Sequence, residues 1–345
     1  MRKAAKALGV VVGVLLAVAL VVWGVRAYNL NHYAVPGPDR TNRALAVSEH
    51  GGIPVDGDYL RGIRYPGDLP GTVITFGGSE GTADDARARE LNRHGYDVLA
   101  LYFFGQPGQQ DSLADVPLEF FAEALVLTDD DGPITVIGTS KGAELGANLA
   151  VRYPEIDNLV LFAPSEYTYA GLQFDSAEQV SSFTWEGEPV PFAPFGNDLG
   201  MVGRLILGLP ISYRPTYEAA AAAAPPESRI DIPLFDGRGL LFAGDADPMW
   251  QSEVAARGLA ERNPGLKAHI LPDAGHLFAD DITRVGPGGE VMLVGSGGAT
   301  GRRRRSPTGS SSTTSRSGTP PDRGEGWPIS PTATCSGALR RQTTG

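Results

Sequence analysis

From Tyr59 to Leu271, short apolar runs alternate with segments whose apolar residues recur at helical spacing. That alternation restricts the chain to βαβ units around a mainly parallel sheet, an α/β fold class. Tyr59–Tyr65, Thr72–Phe76, Asp97–Phe103, Ile134–Ile137, Leu159–Phe162, Gly239–Ala243 and Lys267–Leu271 read as strands. Ala83–His94, closed by Gly95, reads as a helix, as do Pro117–Leu127, Lys141–Arg152 and Glu253–Arg262. Residues 165–235 break the rhythm. The stretch is too long for a simple loop and reads as a lid or insertion over a site, with the alanine run 219–224 helical up to Pro225-Pro226.

The formal charge of -11 is spread unevenly. Residues 1–26 carry Arg2, Lys3, Lys6 and Arg26 and no acid, and residues 297–345 carry eight arginines against Asp322 and Glu325. Taking +4 and +6 from the total leaves -21 between them, which argues against nucleic acid as a partner of that region. The single Cys335 excludes an intrachain disulfide. No spacing of His, Cys or carboxylates suggests a metal site, and no cofactor is expected.

Ala7 to Val25 is a run of nineteen residues without a charge. As a helix rising ~1.5 Å per residue it spans roughly 28 Å, close to the hydrocarbon thickness of a bilayer. Val25-Arg26-Ala27 loosely fits a cleavage site, but the run exceeds a cleaved signal's usual apolar region, so an uncleaved signal anchor is preferred. Three cations precede the run and place the amino terminus inside, although Arg26, Arg40 and Arg43 pull the other way. The expectation is a single-pass anchor (residues 1–26), a tether (27–57), an extracytoplasmic catalytic domain (58–296) and a basic tail (297–345). The tail holds few bulky apolar residues beyond Trp327, Ile329 and Leu339 and reads as disordered. Its Arg/Gly/Pro/Ser/Thr bias is that of out-of-frame translation of a GC-rich gene.

Gly138-Thr139-Ser140-Lys141-Gly142 matches the G-x-S-x-G nucleophile elbow of α/β-hydrolases. In a chain with 45 glycines the pattern is weak by itself. Its context is stronger, because it follows an apolar strand and opens a helix, as the elbow requires. Gly138 and Gly142 let the chain turn sharply enough to expose Ser140. A serine hydroxyl needs a base, and His276 is the histidine that follows the last strand; His32 and His50 sit in the tether, His94 ends a helix and His269 lies in a strand. Asp247, in the loop after Gly239–Ala243, is the preferred acid and Asp245 its rival. The order Ser, Asp, His along the chain is that of this fold. The oxyanion requires backbone donors, here Lys141 at the helix start and Gly78, or else Ser79, in Gly77-Gly78-Ser79-Glu80-Gly81. Read as a phosphate cradle, that turn lacks the lysine of a P-loop, and Glu80 would repel phosphate.

From about Leu60 to Ile282 these residues resemble the catalytic domain shared by acyl-CoA thioester hydrolases and bile acid-CoA:amino acid N-acyltransferases. The most specific piece is Ser140-Lys141-Gly142-Ala143-Glu144-Leu145. Val116–Phe121, Ser182–Trp185 through Phe192, Gly244–Ser252 with Trp250, and Ala274-Gly275-His276 are also similar to family segments. The resemblance implies the same three residues in the same roles, and an amphipathic helix after His276 that the tail does not supply. The amino-terminal β-sandwich of animal members is replaced by the apolar run. The function expected is a serine hydrolase cleaving acyl thioesters or esters through an acyl-enzyme. Alternatives are a carboxylesterase or dienelactone-type hydrolase, an amine acyltransferase, and an inactive anchored binding protein.

Overall fold

A computed structural model describes residues 2–34, 51–128, 132–173, 178–196, 199–277 and 286–294. His50, Arg40, Arg43, residues 278–282 at the end of the resemblance, and the tail 297–345 lie outside the described residues.

The long apolar strands at the centre, residues 73–76, 98–102, 134–138 and 159–162, are buried on both faces, the pattern of a sheet covered by helices. In chain order the strands of the main sheet are β1 (Ile53–Asp56), β2 (Arg61–Tyr65), β3 (Leu69–Phe76), β4 (Tyr96–Tyr102), β6 (Ile134–Thr139), β7 (Ile156–Phe162), β10 (Arg238–Gly244) and β11 (Leu266–Leu271). They form an eight-stranded sheet in the order β1-β2-β4-β3-β6-β7-β10-β11. From β4 to β11 every pairing is parallel, while β1–β2 and β2–β4 are antiparallel. The inversion of β3 and β4, with one antiparallel edge, is the α/β-hydrolase arrangement, and the fold is that class.

Helices α2 (Asp85–Arg93), α3 (Phe120–Leu125), α4 (Lys141–Ala150) and α7 (Ser252–Arg262) connect the strands. Ile74, Leu99, Val136, Leu161, Leu241 and Leu259 belong to one continuous core, all essentially without exposure. Burying side chains of this size contributes about 1.5–3 kcal/mol each, which offsets the cost of ordering the connections. Every residue of α4 is buried, so the elbow helix runs through the middle of the protein.

Two expectations change. Residues 51–57 are not tether: Ile53–Asp56 pairs with Arg61–Arg64 as an edge strand. Gly51, Gly52 and Pro54 disguise it, and an edge is where a sheet tolerates proline. The 165–235 stretch is not irregular throughout. It contributes β8 (Phe183–Trp185) and β9 (Glu188–Pro189), which join β5 (Val116–Pro117) in a small second sheet. It also holds α5 (Leu199–Leu207) and α6 (Arg214–Ala222), the latter covering most of the alanine run. At the amino terminus α1 (Arg2–His32) outruns the apolar segment at both ends. Gly9–His32 has the length and mean hydropathy (2.5) of a membrane anchor or a signal sequence, and its apolar 18-residue window is not buried.

Candidate active site

β6 runs straight into α4, and the joint is Ser140. Its backbone sits at φ 58, ψ -120, a conformation that costs a non-glycine residue on the order of 1–3 kcal/mol. The surroundings hold it there. The Ser140 N–H donates to the Phe162 carbonyl at 2.9 Å. A Cβ on Gly138 would fall 2.1 Å from the Gly142 carbonyl oxygen, and one on Gly142 would fall 2.0 Å from that of Gly77. Both positions therefore exclude any side chain, which is the physical content of the two glycines in the motif.

Around this turn the fold gathers side chains remote in sequence. The Ser140 hydroxyl lies 2.8 Å from His276 Nε2, and His276 Nδ1 lies 2.8 Å from Asp247 Oδ2. All three residues are buried. Asp247 stands in the loop after β10, where its Oδ1 accepts from the Met249 N–H at 2.8 Å and its Oδ2 from the Ser252 hydroxyl at 2.6 Å. Burial alone would push this carboxyl up. His276 and the hydrogen bonds from Ser252 and Met249 outweigh it and hold the carboxyl below its usual range. With Asp247 ionised, Nδ1 carries the proton and Nε2 is free to accept from Ser140. Asp245, the rival acid, instead accepts from the Asp273 N–H at 2.7 Å and so ties the two loops together. His276 is also held from behind, by its N–H on the Leu293 carbonyl at 2.6 Å and by the Trp250 ring edge-on at 4.9 Å. His94 lies against Glu90, and His269 stacks on Phe242.

The glycine-rich turn after β3 does lie against Ser140: a Cβ on Gly78 would be 3.2 Å from that of Ser140. However, the Gly78 N–H donates to Glu80 Oε1 at 2.9 Å, and the Thr82 hydroxyl donates to the same oxygen. The turn is closed by its own carboxylate, so the preferred donor is engaged, while Ser79 is exposed beside it. Lys141 follows Ser140 as the first residue of α4, where N–H groups have no partner within the helix.

Several further side chains support the site. The Lys141 ammonium, wholly buried, donates to Glu144 Oε2 at 2.8 Å and to the Ser182 hydroxyl at 3.2 Å. Glu144 Oε1 accepts from the Tyr169 N–H at 3.0 Å. The elbow helix is thus fastened to two segments of the insertion. Arg214, at the start of α6, grips Glu253 with both Nη atoms (2.6 and 3.3 Å) and the Asp247 carbonyl at 3.1 Å. Tyr169, Phe195, Tyr217 and Trp250 form an aromatic cluster with ring centroids 4.7–5.9 Å apart, which reaches His276 through Trp250. Lys141, Glu144, Ser182, Trp250 and Ser252 fall in the segments that resemble the family, and Ser252 is also suited to a helix cap. Tyr169, Phe195, Arg214 and Tyr217 are defined by partners far away in sequence. A hydroxyl bonded to an imidazole whose other nitrogen is held by a carboxylate is an arrangement able to activate an oxygen nucleophile.

Comparison with known proteins finds the following similarities. Residues 116–280 match the family described as BAAT / acyl-CoA thioester hydrolase C terminal. Acyl-coenzyme A thioesterase 6 of Mus musculus is 35% identical over 134 residues, covering 36% of this chain and 29% of the relative. Bile acid-CoA:amino acid N-acyltransferase of Mus musculus is 28% identical over 247 residues, covering 67% of this chain and 55% of the relative. The chain thus spans between a quarter and three fifths of the length of these two relatives. Among solved structures, an α/β-hydrolase from a Penicillium species superposes with a TM-score of 0.43 at 14% identity, covering 66% of this chain and 91% of that one. Through residues 116–280, just under half of the chain, this α/β fold is similar to the BAAT / acyl-CoA thioester hydrolase C-terminal family.

Proposed function

We propose that the protein is a membrane-anchored serine hydrolase that cleaves acyl thioesters or esters through a covalent acyl-enzyme. The observation that carries the reading is the unbroken hydrogen-bond chain from Ser140 through His276 to Asp247, with 2.8 Å at both links. In acylation the Ser140 oxygen forms a bond to the acyl carbon while its proton passes to His276 Nε2. The carbon–sulfur or carbon–oxygen bond of the substrate then breaks, and the leaving group takes that proton. Water attacks the acyl-enzyme, gives a proton to His276, and the acid departs as the proton returns to Ser140. Asp247 holds the imidazole and stabilises its cation. The Lys141 N–H, with Gly78 or Ser79 from the turn, receives the oxyanion. Gly78 serves only if Glu80 releases its N–H, so Ser79 is now the first choice. Gly138 and Gly142 shape the elbow.

In this reading Gly9–His32 anchors the chain, with the carboxyl-terminal end of α1 and the catalytic domain outside the cytoplasm. The substrate is a small acyl compound. A fluorophosphonate probe tests the enzymatic part. Labelling of the wild type, lost in Ser140→Ala, is expected; a folded wild type that takes no label rejects it. Turnover of acyl-CoA, of short p-nitrophenyl esters, and of acyl-CoA with an added amine then assigns leaving group and acceptor.

A further inference from the structure

Helix α1 is joined to the insertion by a built contact. The Arg26 guanidinium donates to the Leu205 and Ile206 carbonyls, and Asn29 Nδ2 donates to the Leu207 carbonyl at 2.8 Å. These are the last carbonyls of α5, of which that of Leu205 also accepts from the Gly208 N–H at 3.2 Å; they carry the negative end of its dipole, so a cation and an amide are the groups suited to them. Asn29 is buried in this contact, whereas the apolar residues of α1 around it are open. Gly208 ends α5 at φ 66, and a Cβ there would be 3.0 Å from both the Arg26 carbonyl oxygen and Leu30 Cγ. The two helices therefore meet at a glycine needed both for the helix stop and for the close approach.

The rest of α5 faces outward with an apolar stripe. Val202, Leu205 and Ile206 recur at i, i+3 and i+4, and each is about half exposed (46%, 51% and 52%). Residues 9–26 of α1 rise roughly 26 Å at 1.5 Å per residue, against a hydrocarbon thickness of about 30 Å. Arg26 thus falls at the edge of the apolar layer, flanked by exposed Trp23 and Tyr28, the residue types that gather at headgroup level. The contact with Arg26 and Asn29 holds α5 at that same level.

We propose that α5 is a second membrane contact, an interfacial helix whose Val202, Leu205 and Ile206 enter the bilayer that α1 spans. The proposal rests on the anchoring of α1 put forward above. Such a helix sinks roughly 5–10 Å, to the boundary between headgroups and acyl chains. From α5 the chain continues through Ser212, whose hydroxyl donates to the Pro248 carbonyl at 2.8 Å, to Arg214 on the acid loop. The segment seated on lipid is therefore the one that braces Asp247.

The test uses the full chain in phosphatidylcholine nanodiscs. Cys335→Ser is combined with one added cysteine at a time (Leu16→Cys, Val126→Cys, Val202→Cys or Ile206→Cys), each carrying an environment-sensitive fluorophore. Val126, on the α3 side of the domain, is the exposed control. The expected result is quenching of labels 202 and 206 by lipids brominated near the headgroup, several-fold above label 126, with label 16 quenched by lipids brominated deep in the chain. Quenching at 16 with only the level of 126 at 202 and 206 overturns the seating of α5 and leaves the anchor standing. No quenching at 16 overturns the anchor, and the seating with it. Proximity between 202 labels of different copies, without quenching by lipid, shows a face between protein copies and also overturns the proposal.

Discussion

The Lys141 ammonium and the Glu144 carboxylate meet 2.8 Å apart one turn into the elbow helix, and neither reaches solvent. Burial drives the lysine down and the carboxyl up from their ordinary values, each opposed by the other's charge. Such a pair adds little net stability, but it is costly to break from one side. Glu144→Gln strands a buried ammonium and is expected to cost about 3–5 kcal/mol in urea unfolding. The double change Lys141→Met with Glu144→Leu should cost less than that single change. A double change that costs as much as the sum of both singles would show that the pair is not coupled.

Glu80 holds the turn that lies against Ser140. Glu80→Gln retains an oxygen acceptor for the Gly78 N–H and should leave kcat within a few-fold of wild type. Glu80→Ala removes the closure and should lower kcat by roughly 100-fold, the scale of one displaced oxyanion donor. Steady-state kinetics on a p-nitrophenyl ester distinguish the two, and equal effects would show that turn geometry is not what matters.

Arg214 braces the acid loop with a planar fork that lysine cannot reproduce. Arg214→Ala is expected to lower stability by about 1.5–3 kcal/mol, the scale of hydrogen bonds to a charged group. It should also slow fluorophosphonate labelling. Arg214→Lys should recover little of either. Full rescue by lysine would reduce the contact to simple charge.

The depressed Asp247 carboxyl binds its proton less readily folded than unfolded. It therefore contributes stability that is fully present above the unfolded value, about 3.9, and is lost as pH falls through the lower folded value. The stability gap between wild type and Asp247→Asn should be wide at pH 7 and shrink below about pH 4. Denaturant unfolding across that range measures it. At neutral pH the same variant should lose roughly 10⁴ in kcat, because the wrong imidazole tautomer is favoured.

The Leu293 carbonyl receives the His276 N–H, so residues up to Val294 back the histidine loop. A chain stopped after Val294 should keep fluorophosphonate labelling, and one stopped before Gly286 should lose it. Equal labelling of both would show that the loop stands without this support.

Most of the central sheet was legible in the sequence because β3, β4, β6 and β7 are buried on both faces and so are written as short continuous apolar runs, while β10 keeps such a run in residues 240–243 and β11 in Ile270-Leu271. Ile53–Asp56 was not, since glycine and proline around an edge strand imitate a linker. β8 and β9 are two or three residues long and exist through pairing, β8 with Val116-Pro117 and β9 with β8, not through local preference. Ser140, Asp247 and His276 could be named because the fold sets their order along the chain and the elbow has a steric signature. The choice between Gly78 and Ser79 was not legible, for it turns on where the Glu80 side chain points. Arg214 was hidden for a similar reason: its partners Asp247 and Glu253 lie more than thirty residues away.

The positive φ of Ser140 limits which atoms can ever be presented at that turn. Side chains branched at Cβ are genuine outliers in this conformation, so threonine is closed to the position although it carries a hydroxyl. Short unbranched nucleophiles, such as cysteine or aspartate, pass the same steric filter. The backbone thus sets a vocabulary for future chemistry here. Descendants of this chain can exchange oxygen for sulfur or for a carboxylate without rebuilding the turn, and any wider change of reaction has to begin by remaking it.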